Sequence, residues 1–205
     1  MYLLVLLIAV VVFVYTVWKE LHDDLGSQKV IGFGWLLVVT LILTGRAFGG
    51  AWSVLLPWSV LMVWRQMSMN YLVALIIGII MCALVARKEN WKLWAVLEDI
   101  TTGFLVFQMI LYMADMIWSF SYGLLVKTMI VLLAAIWSLK LKKKYRSIVW
   151  YKSGKKGFVF FAVSTVVLLL MAVSAFCLKN GTYVPYLYLG ASLISGLGLY
   201  MLGKL

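Results

Sequence analysis

The sequence predicts an all-α fold: a polytopic integral membrane helical bundle of about seven transmembrane helices, with the N-terminus outside and the C-terminus cytoplasmic. Two observations predict this class. Uncharged segments such as Tyr2–Trp18 and Phe158–Leu178 recur along the 205 residues, and about 20 helical residues suffice to cross the apolar core of a bilayer. The chain is also 65% hydrophobic and only 12% charged, a composition that is not typical of soluble domains.

The first half of the chain contains three predicted spans. Residues 2–18 carry no charge and are followed by a charged segment. The second predicted span, residues 30–45, is followed by Arg46, and the third, residues 70–86, is followed by Arg87. Basic residues at the ends of apolar segments are typical of membrane helices, because the charged groups remain in the headgroup region.

Residues 46–69 do not fit the pattern of a simple span. Arg46 and Arg65 interrupt the apolar sequence, and Pro57 disfavours a continuous helix. Tryptophan recurs through the segment, and its amphipathic ring favours the headgroup region. We therefore expect this segment to lie at the membrane interface or to re-enter the membrane, with its irregular backbone shielded from lipid.

The second half of the chain contains four further predicted spans, residues 94–118, 122–139, 158–178 and 183–203. Glycine recurs in the last of them, which predicts close packing of helices there. These glycines are Gly190, Gly196, Gly198 and Gly203. No segment has the composition of a soluble domain, so residues 1–205 are expected to form a single transmembrane domain.

Basic clusters determine the predicted orientation. Lys140–Lys156 contains eight Lys or Arg and no acid, and cytoplasmic loops of membrane proteins carry an excess of such residues. Arg87, Lys88 and Lys92 form a second cluster two spans earlier, so both clusters can face the cytoplasm. The cations that give the net charge of +11 lie at the ends of apolar segments, where anionic lipids attract them, so we expect no nucleic-acid partner.

Metal and cofactor chemistry is not expected. The chain has a single histidine, His22, and two cysteines, Cys82 and Cys177, which both lie in apolar spans. A thiol buried away from any base behaves as a small apolar group. The sequence contains neither a phosphate-binding glycine loop nor the Gly-x-Ser-x-Gly motif of a serine nucleophile.

Ionisable residues near or inside the spans are candidate functional residues, because burying a charge in a membrane is costly unless the charge is paired or hydrated. Arg46 follows Gly45 and could bind a lipid phosphate through both guanidinium branches. It could equally extend its charge to the interface. Arg65 is followed by Ser68 and Asn70, and these residues could form an ordinary polar cap of the third span.

The fourth span carries two further groups of polar residues. Glu98 and Asp99 lie near its start, where carboxylates favour the N-terminal end of a helix, and we expect them at the interface. Gln108 and Asp115 lie deeper and are separated by seven residues, so they are predicted to share one helical face. Asp115 is expected near the outer interface.

Several short segments follow one another in an order that one enzyme family shares. Gly45–Gly49 is similar to its Gly-Arg-Leu-Gly-Tyr segment, and Trp64–Asn70 to its Trp-x-Gly-Gly-Met-Ser-Phe-His segment. Leu97–Ile100 is similar to its Asp-Ile-Ile segment, with Gln108 in register with a glutamine that follows, and Gly157–Phe160 resembles the opening of its sixth span. The chain thus resembles prolipoprotein diacylglyceryl transferases, the bacterial membrane enzymes that transfer diacylglycerol to a lipoprotein cysteine.

The chain departs from this family at several motif positions. Asn70 stands where the family has histidine, Tyr112 where it has arginine, and Asp115 where it has asparagine. Of the family's Arg-Phe-x-x-Glu-Phe segment only Phe176 is present. The change at residue 70 removes a titratable base, and the change at residue 112 removes a fixed charge able to stabilise the departing glycerol phosphate.

The resemblance implies a phospholipid cleft open to the outer leaflet of a bacterial plasma membrane. Phosphatidylglycerol would bind there and donate its diacylglyceryl group to a prolipoprotein cysteine, without metal or cofactor. The implied catalytic residues are Arg46, Asn70 and Asp115. The implied lipid-binding residues are Arg46, Arg65, Ser68 and Gln108.

The departures from the family leave a second interpretation open. The same bundle could be a non-catalytic membrane scaffold or phospholipid-binding protein, since the lost residues are those that carry the reaction. A small transporter has less support. A transporter would require paired charges at mid-depth or broken helices matched between two halves of the chain, and the sequence shows neither.

Overall fold

The protein is described by a computed structural model that covers residues 2–47, 71–118, 120–145, 156–178 and 183–204. These described residues form seven α-helices and no strand. The helices are α1 (Tyr2–Leu25), α2 (Ser27–Ala47), α3 (Tyr71–Glu89), α4 (Leu93–Trp118), α5 (Tyr122–Lys144), α6 (Phe158–Cys177) and α7 (Val184–Lys204).

The predicted fold class is confirmed. Six of the described helices, all except α2, are long and apolar enough to cross a membrane, and α2 contains the shorter apolar stretch Ser27–Ile42. Large apolar side chains on α1, α3, α5 and α7 are exposed on the outside of the bundle, which suits a protein surrounded by lipid chains. The architecture is therefore that of a multi-pass membrane protein.

The prediction for residues 46–69 can be compared with the structure only at its edge. α2 continues through Ala47, so residues 46 and 47 belong to the end of a helix. The remainder, residues 48–69, lies outside the described residues, and an interfacial or re-entrant path for it stays a prediction.

Helix α4 forms the centre of the bundle. It packs against α1, α3, α5 and α6, whereas α2 packs against α1 and α3, and α7 packs mainly against α6. Phe13 of α1 and Phe107 of α4 place their ring centroids 5.4 Å apart. Gly103 permits this approach, because a Cβ at this position would lie 2.6 Å from Thr16 Oγ1. The central position of α4 explains why polar residues on it are removed from lipid.

The α6–α7 hairpin packs closely, as the glycines of the last span predict. A Cβ at Gly198 would lie 2.4 Å from the Phe161 ring, so α7 can approach α6 only because no side chain is present there. Ser192 Oγ donates a hydrogen bond to the Thr165 carbonyl oxygen at 2.9 Å. The prediction does not extend to Gly190, where an added Cβ would meet nothing within 4 Å.

The helix ends that the charge pattern assigns to the cytoplasm lie together at one end of the bundle. Lys142 of α5 binds Glu20 of α1 at 3.0 Å, and Lys29 of α2 binds Glu89 of α3 at 2.7 Å. We call this region, defined by these four residues, the basic end. Which membrane face it occupies stays a prediction.

Helices α1 and α5 extend further than predicted at the basic end. The first span was expected to end at residue 18, but α1 continues to Leu25. Its additional turns are stabilised by contacts such as the stacking of His22 on Trp18, whose ring centroids are 4.3 Å apart. Helix α5 ends at Lys144, and its last turn consists largely of lysines. These lysines can extend the helix because their long side chains place the charge away from the apolar core.

Candidate functional site

The predicted site residues fall into three groups. Arg65, Ser68 and Asn70 lie outside the described residues, so their roles stay predictions. Arg46 lies in the last turn of α2, but its side chain is not among those that the structure describes. Gln108 and Asp115 lie in α4 with described side chains.

Gln108 and Asp115 face the interior of the bundle. Gln108 is fully buried and Asp115 is only 3% exposed, so they share the buried face of α4, as their spacing predicts. The central packing of α4 explains this burial, because four other helices pack around it. The predicted depth of Asp115 near the outer interface stays a prediction.

Tyr112 connects these two residues into one cluster. Its hydroxyl forms a hydrogen bond with the Gln108 side chain and interacts electrostatically with the Asp115 carboxylate. The same hydroxyl also interacts with the hydroxyls of Tyr71 and Tyr188. We call these five residues, from α3, α4 and α7, the tyrosine cluster.

The tyrosine cluster joins helices that otherwise share little surface. The hydroxyl oxygen of Tyr188 accepts a hydrogen bond from the backbone N–H of Leu72, one of the first-turn donors that have no partner within their own helix. Tyr71 is 1% exposed and packs its ring 5.6 Å from that of Phe104. The cluster therefore fixes the start of α3 against α4 and α7.

The polar groups of the cluster are three phenolic hydroxyls, which can both donate and accept hydrogen bonds, one amide, and one carboxylate, that of Asp115. Within the described part of the chain, the oxygens Gln108 Oε1 and Asp115 Oδ2 accept no hydrogen bond, although both residues have further contacts. Hydrogen-bonding groups from three helices are therefore concentrated at one place inside the bundle.

A narrow apolar groove begins at this cluster. It lies between α3, α4 and α6 and encloses about 30 Å³. Tyr71 belongs both to the cluster and to the groove, and Gly78, Phe104 and Phe160 line its further course. The volume of the groove is that of about one water molecule, and its lining is mainly apolar.

Sequence reasoning did not identify the three tyrosines as site residues. For Tyr112 a signal existed, because it is four residues after Gln108 and three before Asp115, which places all three on one helical face. For Tyr71 and Tyr188 no local signal existed, since their approach to α4 depends on how α3 and α7 pack.

Glu98 has a different role from the one expected at the start of its own helix. It is 4% exposed, and its Oε2 accepts hydrogen bonds from the backbone N–H groups of Gly157 at 2.5 Å and Val159 at 3.3 Å. These are first-turn donors of α6, so a carboxylate from α4 caps the N-terminus of α6. This contact fixes α6 to α4 at the basic end.

Asp99 lies beside a larger cavity at the basic end. Its carboxylate is 3.9 Å from Lys156 Nζ, and its backbone oxygen accepts a hydrogen bond from Lys142 Nζ at 3.0 Å. The cavity has a volume of about 880 Å³ and is far larger than the groove near the tyrosine cluster. Size alone therefore does not indicate the predicted site.

The described residues contain no cluster suited to a metal ion. No three His, Cys, Asp or Glu side chains come together among them. Cys82 is buried in α3, whereas Cys177 is exposed at the end of α6.

No family model, curated protein or solved structure matches the chain in comparisons with known proteins. The functional interpretation therefore depends on the residues of the chain itself. The tyrosine cluster and the adjoining groove carry it.

Proposed function

We propose that this chain is a prolipoprotein diacylglyceryl transferase-like protein of a bacterial plasma membrane, which binds phosphatidylglycerol from the outer leaflet. One observation carries the proposal. Gln108 and Asp115, two of the residues implied by the family resemblance, belong to one buried polar cluster that adjoins an apolar groove. A polar cluster next to an apolar groove is the combination that an amphiphile requires.

In the proposed complex the lipid headgroup lies against the tyrosine cluster. The hydroxyls of Tyr71, Tyr112 and Tyr188 can donate hydrogen bonds to phosphate and glycerol oxygens. The acyl chains contact the apolar side chains of α3, α4 and α6 that line the groove beside the cluster. Arg46 would supply the positive charge that pairs with the phosphate, since the cluster itself contains no cation.

The proposed reaction transfers diacylglycerol to sulfur. The thiol of a lipoprotein cysteine loses its proton, and the sulfur forms a bond to the terminal glycerol carbon of the diacylglyceryl group. The bond between this carbon and the phosphate oxygen breaks, and glycerol phosphate leaves with the electron pair. Asp115 is the carboxylate that would accept the thiol proton, and Arg46 would stabilise the negative charge of the leaving group.

A second candidate function is phospholipid binding without transfer. Tyr112 stands where the resemblance implies an arginine, and its phenol is buried within the cluster rather than charged. A neutral phenol can bind a phosphate but stabilises a developing negative charge less than a guanidinium does. A lipid-binding scaffold needs only the first of these properties.

Lipid binding is tested with the purified full-length chain by native mass spectrometry with phosphatidylglycerol. Arg46→Ala is expected to weaken binding about tenfold or more, because it removes the cation that pairs with the lipid phosphate. Asp115→Asn is expected to keep or tighten binding, because it removes a negative charge beside an anionic phosphate and leaves an oxygen that can accept from the glycerol hydroxyls. Arg87→Ala is the matched control, since Arg87 is exposed at the end of α3. Equal affinity of all four proteins would contradict the proposed site.

Transfer is tested by complementation in bacteria depleted of their own diacylglyceryl transferase, with lipoprotein modification followed by gel shift. Restored modification that Asp115→Asn abolishes supports the transferase. Failure to restore modification, with the protein present in the membrane and phosphatidylglycerol binding intact, supports the non-catalytic function instead. Loss of both activity and binding rejects both candidates.

A further inference from the structure

A cavity lies at the basic end, opposite the tyrosine cluster. It has a volume of about 880 Å³ and is lined by the end of α1, the α3–α4 connection, the start of α4, Lys156 before α6, and Leu202 in the last turn of α7. Its walls are mainly apolar, with a few polar groups among them. The apolar residues include Leu21, Leu25, Leu93, Val96 and Leu202.

Two opposite charges lie next to each other in this cavity. The Asp99 side chain is 16% exposed and the Lys156 side chain is 41% exposed, with 3.9 Å between Oδ2 and Nζ. The two groups form an ion pair at a distance longer than a hydrogen bond. Lys142 donates its hydrogen bonds to other oxygens, those of Glu20 and of the Asp99 backbone.

Tryptophan side chains flank the charged pair. Trp91 is half-buried and Trp94 is 45% exposed, and both line the cavity together with Lys92. Tryptophan is enriched where a membrane protein meets lipid headgroups. The cavity thus has the features of a headgroup site: aromatic rings, a cation, an anion and an apolar wall.

We propose that this cavity binds a zwitterionic phospholipid whose head carries a primary ammonium group, of the phosphatidylethanolamine type. The ammonium donates hydrogen bonds to the Asp99 carboxylate, and the phosphate pairs with Lys156 and Lys92. The acyl region contacts the apolar wall formed by Leu21 and neighbouring leucines. This inference concerns the opposite end of the bundle and does not depend on the proposed function.

Charge complementarity selects this class of lipid over its alternatives. An anionic lipid such as phosphatidylglycerol brings its phosphate toward Lys156 and can donate a hydroxyl to Asp99, but it supplies no positive charge to pair with that carboxylate. A choline head has the correct charge, but its nitrogen carries no N–H and cannot donate a hydrogen bond to Asp99. A head with both a phosphate and a positively charged N–H donor matches the charge of both members of the pair and gives charge-assisted hydrogen bonds at both.

The test uses the delipidated full-length chain in detergent and measures dissociation constants by native mass spectrometry. The lipids form one series: phosphatidylethanolamine, its monomethyl and dimethyl derivatives, and phosphatidylcholine. Affinity is expected to fall along the series, by about tenfold in total, as N–H donors to Asp99 are lost. This series uses the unmodified protein and therefore does not depend on the folding of any variant.

Variants then assign the effect to the cavity. Asp99→Asn is expected to remove most of the difference between phosphatidylethanolamine and phosphatidylcholine, and Lys156→Gln to weaken both lipids. Lys143→Gln is the matched control, because Lys143 is exposed at the basic end but does not line the cavity. Equal affinity along the methylation series, tighter binding of phosphatidylglycerol, or an equal effect of Lys143→Gln would each overturn the inference.

Discussion

The hydrogen bonds from α6 to Glu98 allow a quantitative prediction of stability. Glu98→Ala removes the acceptor of two backbone N–H groups, those of Gly157 and Val159, at a site where the carboxylate is 4% exposed. A buried donor left without a partner costs about 1–3 kcal/mol, and loss of an anion from a helix N-terminus costs up to about 2 kcal/mol. We expect the free energy of unfolding to fall by about 3 kcal/mol.

Glu98→Gln separates the charge from the hydrogen bonds. The amide oxygen of glutamine can still accept from Gly157, but it carries no negative charge to interact with the N-terminus of α6. The expected loss is therefore smaller, about 1 kcal/mol. A graded order, with the alanine variant less stable than the glutamine variant, is the specific expectation.

The assay measures the exposure of one buried thiol during unfolding. Cys82 is fully buried, so a thiol-reactive dye labels it only when the protein unfolds. Labelling is followed as the concentration of a denaturing detergent is increased. The measurements use a Cys177→Ser background, because Cys177 is exposed and would react in the folded protein. Glu89→Gln is the matched control, because Glu89 forms an ion pair with the exposed Lys29. If Glu98→Gln and Glu98→Ala destabilise no more than Glu89→Gln, the capping role of Glu98 is wrong.

Three glycine positions give further predictions in the same assay. Gly157→Ala is expected to destabilise by about 1–3 kcal/mol, because residue 157 has a φ of +113° and an added Cβ would lie 3.1 Å from Trp94 Cβ. Gly103→Ala should also destabilise by about 1–3 kcal/mol, since its Cβ would lie 2.6 Å from Thr16 Oγ1. Gly190→Ala is expected to be neutral or to stabilise by up to about 1 kcal/mol, as nothing lies within 4 Å of its Cβ. Equal effects at all three positions would show that the helices do not pack as described.

The transmembrane helices could be predicted because each is determined by a continuous segment of the sequence. Each span is an apolar segment of sufficient length, and a helix satisfies its own backbone groups within a membrane. The ends were less predictable, as α1 shows by continuing to Leu25. Contacts between distant residues, such as Glu20 with Lys142, stabilise charged turns beyond the apolar segment, and no local pattern encodes such contacts.

The candidate site was predictable only along α4. The spacing of Gln108 and Asp115 places them on one face because the period of a helix is known. The partners from other helices, Tyr71 and Tyr188, were not predictable, since their approach depends on the packing of α3 and α7 against the centre. Glu98 illustrates the same limit, because the sequence predicted a carboxylate near the start of its own helix but not that it caps α6.

The two ends of α4 use buried polar residues in different ways. At the basic end, Glu98 accepts two backbone hydrogen bonds, and Thr102 pairs with Ser138 of α5 at 3.0 Å, so these groups hold neighbouring helices in place. At the other end, the Tyr112 hydroxyl forms a hydrogen bond with the Gln108 side chain and interacts with Asp115, Tyr71 and Tyr188, so polar side chains of three helices meet there. Anchoring at the basic end uses single acceptors for identified donors, whereas this cluster gathers groups that can both donate and accept hydrogen bonds. The proposed binding of a lipid headgroup requires groups with that capacity.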